Sequence, residues 1–504
     1  MPWIDFSDMA AAFSIHTFPP VRSYNRDMKT NHPSVTNVRL ETYTPRIGAL
    51  GLLAVLVLVS ALPMPACGSE RAFQVLHEFS NLDGGPSGPW ELIQSRNGDF
   101  YASSAGGGSN RIGTIFRLSQ GGGVTTLVSF GGTNGDHPEE GLIEGADGNF
   151  YGTTYQAHGI AGGAIFQTTP AGAFANLHHF ACTNGEGLGP ICRLTQIPNG
   201  EIYGTTFYGG ASGCSGIGAG TVFKITTNGA FTTVLSFNGT NGANPQCGLI
   251  LGSDGALYGS TTGSGGPSGD GYGTIFRLTT NGVLTTLHTF DYLTDGSLPS
   301  GNLLQASDGN FYGTTEYGTN HDFGTIFRMT PAGTLTTLVN LRGTNGSYPH
   351  GDLIQTGDGF IYGRTISGGA YNKGTLFRLS TNGVFTTILN FNGTNGTGPW
   401  AAMVVGRDGN LYGTTAIGGP GGGGVAFRLV PTPLITHFGC SPALLTLTWT
   451  SFAGGIYRIE ETTNLTASSW TPISSSVTAT NTVTTLSLPY DKGSQGFCRV
   501  VLLP

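Results

Sequence analysis

Residues 147–154, DGNFYGTT, decide the fold because they do not stand alone. The same letters return at 308–315, and DGNLYGTT occupies 408–415. Aligned on the tyrosine, relatives of the motif place Tyr101, Tyr151, Tyr203, Tyr258, Tyr312, Tyr362 and Tyr412 at intervals of 50 to 55 residues. A second anchor, GTIFRL, puts phenylalanines at 116, 166, 223, 276, 327, 377 and 427. A third, VTTLVSF with its variants, begins at Phe73, Val124, Phe174, Phe231, Leu284, Leu335 and Phe385. A period of about 52 residues is in the range of propeller blades and too long for ankyrin or leucine-rich repeats.

Each unit reads as four strands: a short apolar run such as GLIEG, then NFYGTT, GTIFRL and VTTLVSF. Asp-Gly ahead of a β-rich run is a hairpin signal, since both turn residues reach positive φ. The link from the fourth strand to the next unit, as in NGTNGANPQC, is the longest consistent connection. In a propeller that link is the crossover from an outer edge to the next inner strand. The array opens with a lone outer strand at 73–79 and stops after a third strand at 424–429. The expectation is an all-β, seven-bladed propeller over 73–429, closed by its N-terminal outer strand so that no free sheet edge remains. The competing phase gives seven blades without this closure.

With both motifs in register over roughly 73–430, the chain resembles the GloVer tandem repeat of bacterial surface proteins. Blade one departs with NGDFYASS, and blade two with GAIFQT. The resemblance implies a propeller and export, and brings no established activity. More loosely, the pattern is similar to sensor propellers with DGNLWIGT strands.

The 504 residues hold 84 glycines, 10% charged residues, 10% aromatics and a net charge of −7. That length suggests two or three units or one repeat array. The absence of a basic patch argues against nucleic acid as a partner. Aromatic content argues against disorder.

Residues 1–66 read as a long leader and signal peptide, with Met28 as an alternative start. The apolar run at 47–62 follows Lys29, Arg39 and Arg46 and is short for a membrane span. Cleavage after Ala61 or Ala66 is expected, an uncleaved anchor being the alternative; beyond this segment no membrane association is expected. MPAC before Cys67 is a poor lipoprotein signal, because proline precedes the alanine. Six cysteines remain: Cys182, Cys192, Cys214, Cys247, Cys440 and Cys498. An even count in an exported chain predicts disulfides. Position favours Cys440–Cys498 in the tail, with Cys182–Cys192 and Cys214–Cys247 in the propeller.

The repeated polar residues read as scaffold. Asp147, Asp254, Asp308, Asp358 and Asp408 share a slot that Asn97 and Asn199 also fill, as expected of a turn. The tyrosines sit mid-strand and are expected to pack between blades. Arg117, Lys224, Arg277, Arg328, Arg378 and Arg428 share a slot with Gln167 and are expected to pair with neighbouring carboxylates or carbonyls between blades, with no fixed aspartate partner. His77, His178 and His288 share a slot with Val and Leu, so they are expected to pack rather than to bind metal. No GxSxG, HExxH, P-loop or EF-hand loop is present. Thus no catalytic residue, metal or cofactor is assigned.

The residues just before the first strands depart from the repeat. Trp90, Glu91, Glu140, His350, Asp352 and Trp400 are expected on one rim of the central channel. An aromatic face with a few polar groups suits a carbohydrate or protein ligand. Alternatively, the tryptophans plug the channel mouth.

After a linker at 430–433, residues 434–504 change character. LTLTW alternates, IYRIE follows, and SSWTPI and GFCRVVLLP complete the pattern of a small antiparallel sandwich. It resembles C-terminal modules of many exported bacterial proteins. The expected function is a secreted or cell-surface binding scaffold, monomeric, with its ligand at the channel rim. The alternatives are a polysaccharide hydrolase or lyase using rim carboxylates, and a purely structural envelope protein.

Overall fold

The structure is a computed structural model that describes residues 73–80, 83, 91–155, 162–181, 185–211, 218–263, 271–319, 323–430, 435–441, 444–451, 456–462, 470–480, 483–489 and 497–502. The leader at 1–66, Trp90, Cys182 and Cys214 lie outside the described residues.

Seven four-stranded antiparallel sheets follow the repeat. Blade two is typical, with strands Ile143–Glu144, Phe150–Thr154, Ala164–Thr168 and Phe174–His179. Blade seven takes three strands from its own repeat, Val404–Val405, Leu411–Thr414 and Val425–Leu429. Its outer strand is Phe73–Glu78, which pairs antiparallel with the third from Phe73↔Leu429 to Glu78↔Val425. The expected closure therefore forms.

Local chemistry explains each unit. Gly148 of the Asp-Gly turn has φ +82°, a conformation that glycine adopts without strain. The residue ahead of each motif tyrosine packs on the tyrosine of the preceding blade. Ring centroids lie 4.3 Å apart for Tyr101–Phe150, Tyr258–Phe311 and Phe100–Tyr412, the last across the closure. Burying one such ring contributes about 1.5–3 kcal/mol, and each blade presents one to each neighbour. Gly152, beside the tyrosine, leaves room for the next strand. A Cβ there would stand 2.5 Å from Phe166 Cζ and 2.9 Å from Leu142 Cδ2.

The third and fourth strands of every blade slip register once. In blade one the shift falls between Ile115 and Phe116, leaving Leu127 as an extra residue on the outer strand. That bulge bends the outer strand.

The C-terminal region forms two small sheets. One orders Ile435–Ser441, Leu444–Thr450 and Val483–Pro489; the other gathers Thr471–Pro472, Val477–Thr478 and Phe497–Leu502 around Ile456–Thr462. Leu445, Leu447 and Trp449 from the first share one core with Tyr457, Ile459 and Val500 from the second. Glu460 is buried but answered by Arg499, at 2.7 Å, and by Arg458.

The propeller disulfides do not form. Cys192 and Cys247 are buried free thiols. Both side chains are buried against neighbouring strands, with Cys247 Sγ 3.9 Å from the Pro299 carbonyl of the next blade. Cys192 Sγ donates to the Thr205 carbonyl at 3.2 Å and accepts the Thr205 amide at 3.0 Å. Burial pushes the two thiols up to about 11 and about 12. Cys440 and Cys498 sit in different sheets, and the Cys440 side chain lies outside the described set.

Candidate functional site

The crossovers into blades two to seven each carry a proline: Pro138, Pro190, Pro245, Pro349 and Pro399 precede the first strands, and Pro299 lies near the start of the Ser297–Gln305 strand. The residue before each proline has a left-handed backbone, from φ +47° at His137 to φ +63° at Gly189. This bend aims the next three residues at the propeller axis, where blades that are distant in sequence meet.

Arg193 of blade three reaches across the axis. Its Nη1 donates to Glu91 of blade one at 2.8 Å and to Asp352 of blade six at 3.5 Å. Asp352 also accepts the backbone amide and side-chain amide of Asn302, from blade five, at 2.7 and 2.8 Å. Arg364 stands where other blades carry Thr or Ser in YGTT, and it is buried. Its Nε donates to the Pro399 carbonyl at 2.7 Å and its Nη2 to that of Trp400. Above these groups, the Trp400 ring is 43% exposed and 5.7 Å from the His350 ring. A cavity of about 50 Å³ lies among Glu91, Glu140, Asn302, His350, Asp352, Arg364 and Trp400. That volume suits a few waters rather than a sugar ring.

Five of the six rim residues read from sequence thus gather in one place; Trp90 lies outside the described residues. The two arginines were missed. Arg193 is legible as the one cation in the slot just ahead of the first-strand leucine, which Glu91, Asn302 and Asp352 fill in blades one, five and six, and Arg364 as the one cation inside a Gly-Thr-Thr motif.

Burial shapes the charges. Desolvation raises Glu91 to about 7 against the opposing pull of Arg193. Glu140 is raised well above the usual carboxylate range by burial and by Asp352 and Glu91. Burial, with Arg364 nearby, lowers His350 to about 4, so the imidazole is neutral at pH 7. Burial also lowers Arg364, to about 10. Glu91 and Asp352 share one guanidinium nitrogen, which places their carboxylates within about 6 Å, a span in which paired carboxyls hydrolyse glycosides. Arg193, however, occupies the space between them where a glycosidic bond would have to lie.

The repeated polar slots remain scaffold, with two additions. Tyr151, Tyr312, Tyr362 and Tyr412 donate their hydroxyls to the aspartate four residues earlier, at 2.7 to 2.8 Å. The cationic slot does pair in places: Arg277 meets Asp254 at 2.7 Å and Lys224 meets Glu201 at 2.6 Å, while Gln167 donates to the Tyr151 hydroxyl at 2.8 Å. The cross-strand register Tyr258↔Arg277 creates this contact, which residue spacing alone does not reveal. The three histidines stay apart, each facing a crossover acid: His77–Asp83 at 2.9 Å, His178–Glu186 at 3.4 Å and His288–Asp295 at 2.6 Å.

The Gloeobacter/Verrucomicrobia repeat profile matches residues 66–271, 206–358 and 337–439. The curated proteins contain no match. Among solved structures the chain is similar to a protein named as a 6-phosphogluconolactonase from Bacteroides fragilis, at 16% identity and a TM-score of 0.42, covering 79% of this chain and 98% of that one. It is also similar to an ulvan-type polysaccharide lyase, at 12% identity and a TM-score of 0.41, covering 73% and 92%. Scores this low say nothing about a shared substrate.

Proposed function

We propose that this chain, which belongs to the Gloeobacter/Verrucomicrobia repeat family, is an exported binding propeller whose ligand, a carbohydrate or a protein, docks at the channel mouth. The observation that carries this reading is Trp400. It is an exposed indole beside a neutral imidazole, over a floor of charged groups that are already paired with one another. An amphipathic ring left in water at a concave polar site is a binding feature. Export is supported by the apolar run at 47–62 and its preceding cations, and no longer by the propeller cysteines.

The test is a screen of the secreted full chain against glycan, peptidoglycan and peptide arrays, repeated with Trp400→Ala. Binding by the wild type and its loss in the variant is expected. A wild type that binds nothing, or a variant that binds equally well, would sink the reading.

One observation favours a second reading, a hydrolase or lyase: Glu91 and Glu140 hold protons near neutral pH, as a general acid must. Arg193 between the carboxylates weighs against it. Release of new reducing or unsaturated ends from polysaccharide, abolished by Glu140→Gln, would favour it over binding alone.

A further inference from the structure

We propose that the floor of the channel mouth is a socket for a primary ammonium, and that the ligand is a polypeptide that inserts a lysine-type side chain past Trp400. This rests on the binding reading above and narrows its ligand class.

Glu91, Glu140, Asp352 and Arg364 line the cavity, and Arg193 ties Glu91 to Asp352. With every group ionised, three carboxylates face two guanidiniums, and one negative charge is unanswered. That charge belongs to Glu140, whose carboxylate takes part in no hydrogen bond or ion pair among the described residues. Arg364 does not answer it by contact, because its Nε and Nη2 are spent on the carbonyls of Pro399 and Trp400.

A buried amide supplies the second half of the socket. Asn302 is 9% exposed and lines the same cavity. Its Nδ2 donates to Asp352, which fixes the orientation of the amide, and its Oδ1 is buried with no partner among the described residues. Oδ1 faces blade four across the gap, where a Cβ on Gly248 would stand 3.0 Å from it. His350 Nδ1, on the same cavity, is likewise buried without a partner, and the neutral imidazole can offer a lone pair there. A buried acceptor left unmet costs about 1–3 kcal/mol. An ammonium, with three donors and no acceptor, answers the free carboxylate and these lone pairs together. An anion would meet them all with repulsion. Size then selects among cations. About 50 Å³ holds an ammonium and its first methylene, since a water occupies about 30 Å³. A guanidinium, a trimethylammonium or a pyranose ring bearing its own amine is too large. A long unbranched stem lets methylenes cover the exposed Trp400 indole while the ammonium reaches the floor.

The full chain is titrated calorimetrically with a Gly-Gly-Lys-Gly-Gly peptide capped at both ends. The same peptide carrying arginine, norleucine or Nε-acetyllysine, and chitosan and glucan oligosaccharides, serve as the other arms. The lysine peptide should bind at least about tenfold tighter than each replacement, the worth of one hydrogen bond to a charged group. Trp400→Ala should remove that binding. Glu140→Gln should weaken it by about tenfold or more, with a melting temperature no lower than the wild type's as the fold control. Burial and the acids facing it (Glu91, Glu139 and Asp352, with Arg193 and Arg364 opposing) keep Glu140 protonated near neutral pH, so the ammonium must displace a proton. Affinity should therefore rise from about pH 6 to about pH 8, and the proton release, read as a buffer-dependent heat, should shrink in Glu140→Gln. Norleucine or arginine binding as tightly as lysine overturns the socket, as does tighter binding of chitosan or lysine binding unchanged in Glu140→Gln. Glucan binding lost in Trp400→Ala, with no preference for lysine, would overturn the socket while the rim reading survives. No binding on any arm overturns both.

Discussion

Asp358 shows what the recurrent aspartate does. Its Oδ1 accepts the Phe360 amide at 3.0 Å and shapes the turn, while Oδ2 accepts the Tyr362 hydroxyl at 2.8 Å. Asp358→Ala would leave that hydroxyl without its acceptor and should cost about 1–3 kcal/mol in urea unfolding. Asp358→Asn should cost less, because in blade one Asn97 keeps a bond to Tyr101 with the direction reversed, its Nδ2 donating to the hydroxyl at 2.8 Å. Equal losses would mean that only the turn matters. The aspartate and tyrosine were each legible in the sequence, but their bond depends on hairpin geometry that folds residue 362 back over residue 358. Charge at the site gives a second residue-scale expectation. His350, facing Arg364, Asp352 and Trp400, has a folded pKa of about 4 against 6.5 unfolded. The native state binds fewer protons, so this contribution is present above pH 6.5 and is lost as the pH falls through 4. Glu91 has the opposite sign: about 7 folded against 4.5 unfolded, present below pH 4.5 and lost as the pH rises through 7. His350→Asn should therefore flatten the acid side of a melting-temperature curve, and Glu91→Gln the side between pH 4.5 and 7. An unchanged slope in either variant contradicts its assignment.

At the scale of the strand, small departures from the repeat are informative. In blades three to six the second threonine of the motif bonds the threonine that starts the third strand, as in Thr206–Thr221 at 2.8 Å and Thr365–Thr375 at 2.8 Å. Blade two places Ala164 opposite Thr154, whose hydroxyl is buried with no partner. Ala164→Thr should restore the pair and stabilise by about 1 kcal/mol; a lower melting temperature would show that the gap is already filled. Gly152→Ala should act the other way, costing about 1–3 kcal/mol by overpacking against Phe166 and Leu142. A neutral result would mean that the strands separate as they do around Ala102, which occupies the same slot in blade one. The four strands and their order could be read from periodicity. The bulge could not be assigned, because its extra residue is itself apolar. Its trace is the adjacent pair Leu127–Val128, which breaks the alternation set by Val124 and Phe130.

For the whole molecule, ring closure was legible because an orphan strand begins the array and an incomplete unit ends it. The centre was only half legible. Residues ahead of the first strands were known to face the axis, yet which of them meet depends on the angular placement of blades, and sequence distance carries no trace of it. Arg193 and Asp352 are 159 positions apart and still touch. This contact joins blades one, three and six through one side chain, and removing it is the most global single change available. Arg193→Ala would leave Glu91 and Asp352 near each other without a counter-charge. Because Arg193 is half-buried, the cost should fall below that of a fully buried pair, at about 1–3 kcal/mol. Arg193 lowers the pKa of Glu91, so without it Glu91 holds its proton to higher pH. The loss should therefore be small at pH 5, where Glu91 is neutral, and grow above pH 7, where it ionises beside Asp352. Adding Asp352→Asn to Arg193→Ala should return much of the stability at high pH. Denaturant unfolding at pH 5 and pH 8 measures both effects. An equal loss at the two pH values, with no recovery in the double variant, would show that Arg193 acts by packing rather than by charge.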